Sequence, residues 1–174
     1  MGQCRPGRYV VRSLIVLTLI TGVAWPVAAN NAQERPDPVT VGFTAIQATV
    51  ENRNEKHFDS GLREIRNALD GLGYDTYRQI MRRQARAPFR QETKFTINEQ
   101  YTLYVTPLTR EPNGRVRIET RVEKRLDEYD EDGRRKTVNA LKTTSTVTPG
   151  DDLCLGGFPL DEGDLIIVFS VNRR

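Results

Sequence analysis

The sequence predicts one α+β domain over residues 39–174, with one amphipathic helix packed on a mainly antiparallel β-sheet. Two observations lead to this fold class. A segment near the start of the domain has helical periodicity, and the patterned segments after it alternate apolar and polar residues as strands do. One strand, one helix and then a run of strands is the order expected of an α+β domain.

Residues 1–29 have the pattern of a secretory signal peptide. Three arginines precede an apolar core over residues 14–24, and small residues follow at a cleavage position after Ala29. The apolar core is shorter than the roughly 20 residues that a membrane-spanning helix needs. We expect export and a periplasmic or extracellular mature chain, with an uncleaved signal anchor as the alternative. Residues 30–38 are polar with two prolines and are expected to form a flexible lead-in.

The charge balance changes when the predicted leader is removed. The whole chain carries 26 basic and 23 acidic residues. Residues 1–29 hold three of the basic residues and no acid, which leaves 23 residues of each sign in the mature chain. Because non-specific nucleic-acid binding depends on net positive charge, the sequence predicts no nucleic-acid partner.

The domain begins with a strand and a helix. Residues 39–50 are largely β-branched or apolar, which predicts a strand, and the charged residues 51–56 are expected to form a loop. Apolar residues then recur at spacings of four and three along one helical face. These residues are Phe58, Leu62, Ile65, Leu69 and Leu72. We expect Asp59 or Ser60 to cap the start of this helix and Gly73 to end it.

The rest of the chain has the alternation of β-strands. Strands are expected at residues 74–81, 95–97, 101–106, 116–123, 138–147 and 165–171. The strongest turn signal is Asn113-Gly114, since Asn-Gly readily adopts the positive φ angles of a hairpin turn. The strand after this turn is apolar on one side and charged on the other, which predicts one buried face. The last strand is apolar on both sides, and we expect both of its faces to be covered.

Five arginines and no acid occur in residues 78–90. They are Arg78, Arg82, Arg83, Arg86 and Arg90. Such a segment is suited to contact an anionic surface, whether lipid headgroups, polysaccharide or an acidic protein partner. The alternative is a solvated strand edge on which the arginines discourage edge-to-edge aggregation. The sequence leaves both interpretations open.

The acidic residues 128–133 have part of the pattern of a calcium-binding loop. Counting from Glu128, side-chain oxygens stand at positions 1, 3 and 5 and a glycine at position 6. Position 12 is Asn139, where such a loop needs a bidentate glutamate, so we predict a solvated hairpin tip instead. The mature chain has one histidine, His57, and one cysteine, too few for a zinc site. The sequence therefore predicts no metal and no cofactor.

Cys154 is the only cysteine of the mature chain, so an internal disulfide is impossible there. We expect it to be a small apolar residue buried on a strand, with pairing between chains as the alternative. No G-x-S-x-G motif is present, and the only tryptophan, Trp25, lies in the leader. The sequence predicts no catalytic residue and no enzyme activity. A small hydrolase with paired carboxylates is a less favoured alternative.

Glycines punctuate the C-terminal part of the chain. Gly150, within Pro149-Gly150-Asp151-Asp152, predicts a turn. Gly156 and Gly157 predict a tight corner that leads into the last strand. No phosphate-binding motif surrounds them, so we interpret these glycines as structural.

Residues 144–157, followed by the apolar residues 165–169, resemble the conserved hairpin of bacterial secretins. Secretins are outer-membrane channel proteins of type II and type III secretion and of type IV pilus systems. The shared pattern is a strand, a glycine turn, a short apolar strand ending in Leu155-Gly156-Gly157, and a later apolar strand. Phe158 replaces the Leu or Ile usual in secretins, and the segment before the last strand is shortened. The resemblance implies a small secretin-like accessory domain and not a pore.

These patterns predict a non-catalytic exported protein of the cell envelope. Its expected role is to bind a protein partner as an accessory domain in secretion or envelope assembly. The alternative is a binding module for an anionic ligand or surface, centred on residues 78–90. The sequence does not indicate an oligomeric state.

Overall fold

The structure, a computed structural model, describes residues 37–172. The predicted signal peptide and most of the predicted lead-in lie outside the described residues. Within residues 37–172, no helix is long and apolar enough to cross a membrane.

Nine strands in the described part of the chain form two sheets. The first sheet has the order β2-β3-β1-β9-β8, and the second has the order β4-β5-β6-β7. The strands are β1 (Val39–Thr49), β2 (His57–Phe58), β3 (Thr76–Ala87), β4 (Thr93–Thr96), β5 (Tyr101–Arg110), β6 (Val116–Tyr129), β7 (Arg135–Val147), β8 (Asp152–Pro159) and β9 (Asp164–Val171). Neighbouring strands are antiparallel, except that the short β2 runs parallel to β3.

The two sheets pack face to face around the larger hydrophobic core. Phe43 of β1 meets Phe95 of β4 with 5.0 Å between the ring centroids, and Phe169 of β9 lies in the same core. The fold is thus broadly α+β with strands predominating, but it has two stacked sheets where one was predicted. Each sheet has an apolar inner face, and each covers the other.

The predicted amphipathic helix is not continuous. Ser60–Ile65 is a 3-10 helix and Arg66–Leu69 is a four-residue α-helix, α1; together they are called the helical segment. Asp59 makes no capping bond, because its carboxylate accepts the backbone N–H of Gln79 at 2.8 Å. This bond ties the start of the segment to β3. Few residues then remain before Gly71, and a short helix has little stability of its own.

The apolar face of the predicted helix is nevertheless buried on the outer face of the first sheet. Leu62 and Leu69 are fully buried there, against Ile46 of β1 and Ile166 of β9. Tyr77 of β3 is buried beneath the segment, and its hydroxyl donates to the carbonyl oxygen of Leu69 at 3.1 Å. The last strand is therefore covered by the second sheet on one face and, at Ile166 and Val168, by the helical segment on the other; Ser170 lies beyond this cover.

Two hairpin turns connect the strands β5, β6 and β7 of the second sheet. Asn113 and Gly114 lie between β5 and β6, where Gly114 has φ +84° and the Asn113 side chain accepts the backbone N–H of Arg115 at 3.0 Å. The acidic segment forms the tip between β6 and β7. There Gly133 has φ +73°, and the Asp130 carboxylate accepts backbone N–H groups of the turn.

The glycines near the C-terminus have different roles. Gly150, with φ +99°, lies in the turn between β7 and β8. Gly156 and Gly157 do not form the predicted corner. They lie inside β8, where a register shift marks a β-bulge and Gly157 has φ +82°. The strand continues because the bulge absorbs the extra residue, and the turn into β9 is made by residues 160–163 instead.

Candidate functional site

The outer face of the first sheet is only partly covered. The strand register arranges its side chains in three neighbouring rows that cross β3, β1, β9 and β8. The rows are Gln79, Ile46, Ile166 and Gly156; then Arg82, Thr44, Val168 and Cys154; then Gln84, Gly42, Ser170 and Asp152. The helical segment packs on the apolar residues of the first two rows. The third row is polar and stays open.

A cleft of about 490 Å³ lies over the open row. Its floor includes Gly42 and Ser170, and Gly42 has no side chain to fill it. Glu64 of the helical segment lies on one side, and Asp152 lies at the start of β8. Arg82 of β3 completes a set of three charged groups that come from three distant parts of the chain. The cleft can therefore offer both hydrogen bonds and charge to a bound molecule.

Arg82 and Glu64 join the two sides of the cleft. The guanidinium nitrogen lies 2.6 Å from the carboxylate oxygen. Both side chains are more than half exposed, so water and salt weaken this ion pair. It is a surface contact that a ligand is able to replace at little cost.

Asp152 is an acidic group of the cleft whose pKa is raised. Burial raises the pKa of its carboxyl, the charge of Asp151 raises it further, and Glu64 also contributes, while Arg82 opposes them. The charged form is therefore less favourable here than in water. A positive or hydrogen-bonding group of a ligand would relieve that penalty.

The five predicted arginine contacts do not form one surface. The β3 register places Arg82 and Arg86 on the outer face of the sheet, and it places Arg78 and Arg83 on the opposite side. Arg90 lies beyond β3 with φ +60°. The change of side depends on the bulge near Ile80, where β3 has one residue more than β1.

Two of these arginines have a carboxylate partner. Arg78 lies 3.0 Å from Glu51, and Arg82 pairs with Glu64. Within residues 37–172, no carboxylate lies within ion-pair distance of the other three, Arg83, Arg86 and Arg90. All five are exposed. Positive charge along β3 is thus only partly compensated.

Much of β3 forms an edge of the first sheet. β2 pairs only with Thr76 and Tyr77. Residues 81–87 pair with β1 on one side, and no strand of the described chain pairs with them on the other. The arginine segment therefore lies at a strand edge, which borders the cleft.

Cys154 is exposed, contrary to the prediction of a buried residue. It lies on β8, an edge strand of the first sheet. Its sulfur donates to the carbonyl oxygen of Ala68 at 3.4 Å. Burial of the sulfur and the nearby Asp152 charge raise the pKa of the thiol, so it stays protonated near neutral pH and is a poor nucleophile.

Most residues of the cleft have no functional pattern in the sequence. Glu64 looked like an ordinary polar position of a helix, and Asp152 looked like part of a turn. The available signal was weak. It consists of Gly42 and Ser170, small residues that interrupt otherwise apolar strands.

No protein-family model, curated protein or solved structure matches this chain. The residues that resemble the secretin hairpin are divided between the sheets. Residues 144–147 end β7 in the second sheet, whereas β8 and β9 pair in the first. The relationship to secretins stays a prediction.

Proposed function

We propose that this chain is a non-catalytic, exported protein of the cell envelope that binds a protein partner at the cleft and the adjoining edge of β3. The observation that carries the proposal is the incomplete cover of the first sheet. It leaves a polar cleft of about 490 Å³ beside residues 81–87, which lack a strand partner in the described chain. The signal-peptide pattern and the secretin-like hairpin support secretion or envelope assembly as the setting.

A protein surface suits this site better than a small apolar ligand does. Small-molecule sites are mostly enclosed and lined by apolar side chains. Here Gln84, Arg82 and Asp152 are exposed and polar, and the cleft continues onto an open strand edge. Polypeptides bind such edges through their backbone and place side chains in neighbouring pockets.

Site-specific photo-crosslinking in the native cells tests this function. A photoreactive side chain is placed at Gln84 in the cleft, and in a matched protein at Thr144, which is exposed on the outer face of the second sheet. We expect one defined protein adduct from position 84 and none from position 144. Equal adducts from both positions, or none from either, would contradict the proposed site.

Export is tested on the same material. We expect the protein to be in the periplasmic or extracellular fraction and to begin at Asn30, which would show cleavage after Ala29. An intact leader on a membrane-bound protein would favour the signal anchor. A cytoplasmic protein would refute the envelope setting.

A second candidate function is binding of an anionic ligand or surface. It is favoured by Arg83, Arg86 and Arg90, which have no carboxylate partner within residues 37–172. We would measure binding to vesicles that contain phosphatidylglycerol and to a soluble polyanion, at low and at physiological salt. Binding to the vesicles or to the polyanion that is lost when these three arginines are changed to serine would support this function. Absence of binding at low salt would exclude it.

A further inference from the structure

The free edge of β3 is held rigidly from one side. From Met81 to Ala87, each residue of β3 has a partner in β1 between Ala45 and Val39. Before that stretch the other side is occupied, because β2 pairs with Thr76 and Tyr77 and the Asp59 carboxylate accepts the N–H of Gln79. From residue 81 onward, no strand of the described chain pairs with the side of β3 that faces away from β1. An edge of this kind presents unpaired N–H and C=O groups in fixed positions.

Positive side chains border this edge on both faces of the sheet. Arg82 and Arg86 lie on the cleft side, and Arg83 lies on the other. Within the described chain, neither Arg83 nor Arg86 has a carboxylate within ion-pair distance, and the one carboxylate within that distance of Arg82 is Glu64, whose side chain is 73% exposed. A ligand at the edge would therefore meet cations above and below its own backbone.

We propose that the free edge of β3 accepts an extended, acidic segment of a protein partner as an added strand. This inference rests on the proposed function and specifies the chemistry of the partner. The backbone of the segment pairs with residues 81–87, over about 23 Å at roughly 3.3 Å per residue. Carboxylates on one face of the added strand pair with Arg82 and Arg86, and a carboxylate on the other face pairs with Arg83.

The charge pattern selects against a second copy of β3 as the added strand. Two β3 edges side by side would bring arginines near arginines, and like charges on paired strands are destabilising. Acidic residues on the added strand remove that repulsion. The same arginines thus disfavour pairing between two β3 edges and admit a partner of opposite charge.

The other edge strands of the described chain are less suited to strand addition. β4 spans only Thr93–Thr96. β8 has a bulge at Gly157 and ends at Pro159, which has no N–H to donate. β7 is long, but its register is broken between Leu141 and Asn139, and it carries Lys142 beside the break. Bulges and lysines of this kind protect edges from pairing.

A labelled valine-rich peptide serves as the probe; it carries two glutamates on one face of the strand, to meet Arg82 and Arg86, and one glutamate on the other face, to meet Arg83. Its binding to the exported protein is measured by fluorescence anisotropy. The first comparison peptide has lysine in place of glutamate. The second keeps the glutamates but has N-methyl groups on alternate backbone amides, which removes the donors of one edge. We expect the unmodified glutamate peptide to bind and neither comparison peptide to bind, because strand addition needs both the charge and the backbone donors.

Protein variants locate the contact. Changing Arg82, Arg83 and Arg86 to serine should weaken peptide binding by about tenfold, since exposed ion pairs each contribute little but act together here. The matched control changes Arg117, Arg125 and Arg134, which are exposed arginines elsewhere, and removes the same charge. The control should change binding less than about threefold at equal ionic strength. In hydrogen exchange, the peptide should protect amides within residues 81–87.

The outcomes separate this inference from the proposed function. Equal binding of the N-methylated peptide, or equal loss in both triple variants, would show general charge attraction and overturn strand addition. Binding of phosphatidylglycerol vesicles without binding of the peptide would overturn it in favour of a lipid surface. If the peptide fails to bind but position 84 still crosslinks to a defined protein, this inference falls and the proposed function stands. If both fail, both fall.

Discussion

Replacing Gly163 with alanine should destabilise the protein far more than the same change at Gly157. Both glycines have positive φ, +74° and +82°, so alanine meets a backbone penalty at each position. Their surroundings differ. A Cβ on Gly163 would overlap the carbonyl oxygen of Ala48 and lie 2.6 Å from Cγ2 of Thr49, whereas nothing lies within 4 Å of a Cβ on Gly157.

The magnitudes follow from these two terms. The backbone term is about 1–2 kcal/mol at both positions. At Gly163 the new Cβ must also displace the backbone of β1 at Ala48, which is fully buried, and overpacking of this kind costs about 1–3 kcal/mol. We therefore expect a loss of about 2–5 kcal/mol for Gly163→Ala and about 1–2 kcal/mol for Gly157→Ala. The larger value is a substantial part of the roughly 5–15 kcal/mol that stabilises a typical domain.

Urea unfolding of the three proteins, followed by circular dichroism, measures the difference. With a slope of about 1–3 kcal/mol per molar urea, Gly163→Ala should lower the midpoint by roughly 0.7–5 M. Gly157→Ala, which lacks the overpacking cost, should lower it by a smaller amount and with the same slope. Equal midpoints for the two variants would refute the reasoning, because they would mean that the turn before β9 moves away from β1 without a loss of stability.

Three further predictions concern ionisable groups. The backbone N–H of Glu51 donates to Asp75 and lowers the pKa of that carboxyl, so its stabilisation is present above about pH 4 and is lost as the pH falls through the folded pKa. Asp75→Asn should lower the urea midpoint at pH 7 and reduce the acid dependence; a parallel pH profile would contradict this. For Asp152, burial raises the pKa, so stability falls as the pH rises from about 4 through the folded pKa. Asp152→Asn should be at least as stable as the parent at pH 7 in thermal melts, with the gain absent below about pH 4; a lower melting temperature at pH 7 would contradict it. Burial raises the pKa of Tyr74 to about 12, and its hydroxyl donates to Asp164 at 2.8 Å, so the stabilisation is complete below about pH 10 and is lost as the pH rises toward 12. Tyr74→Phe should cost about 1.5–3 kcal/mol at pH 7 and remove the highest-pH step from the tyrosine absorbance titration; an unchanged titration would reject the assignment.

Local patterns in the sequence predicted the strand interiors well. Val116 and Ile118 are buried in β6 while Arg117 between them is exposed, as the alternation indicated. Successive side chains of a strand point to opposite faces whatever the strand pairs with, so the sequence alone carries this information. The positive φ of Gly114 is local in the same way, because only nearby residues determine a tight turn.

The helix illustrates where local information ends. Its periodic residues Leu62 and Leu69 are buried, as the spacing predicted, yet the continuous helix does not form. The hydrogen bond from Gln79 to Asp59 fixes the start of the helical segment against β3. That contact joins residues 20 positions apart. Burial in this segment follows from hydrophobicity, whereas its exact backbone follows from a tertiary contact.

By itself the sequence determined where most strands lie, which side of most of them is apolar, and that the arginines of residues 78–90 lie on one segment; it did not show that β3 extends to Ala87 or that Gly156 and Gly157 lie inside β8. Only the tertiary structure decided where the site lies. Strand order brings Asp152 and Ser170 beside β1, and the extra residue near Ile80 turns Arg82 toward the cleft instead of toward the second sheet. Strand order and register depend on pairing between distant segments, which a local periodicity does not encode.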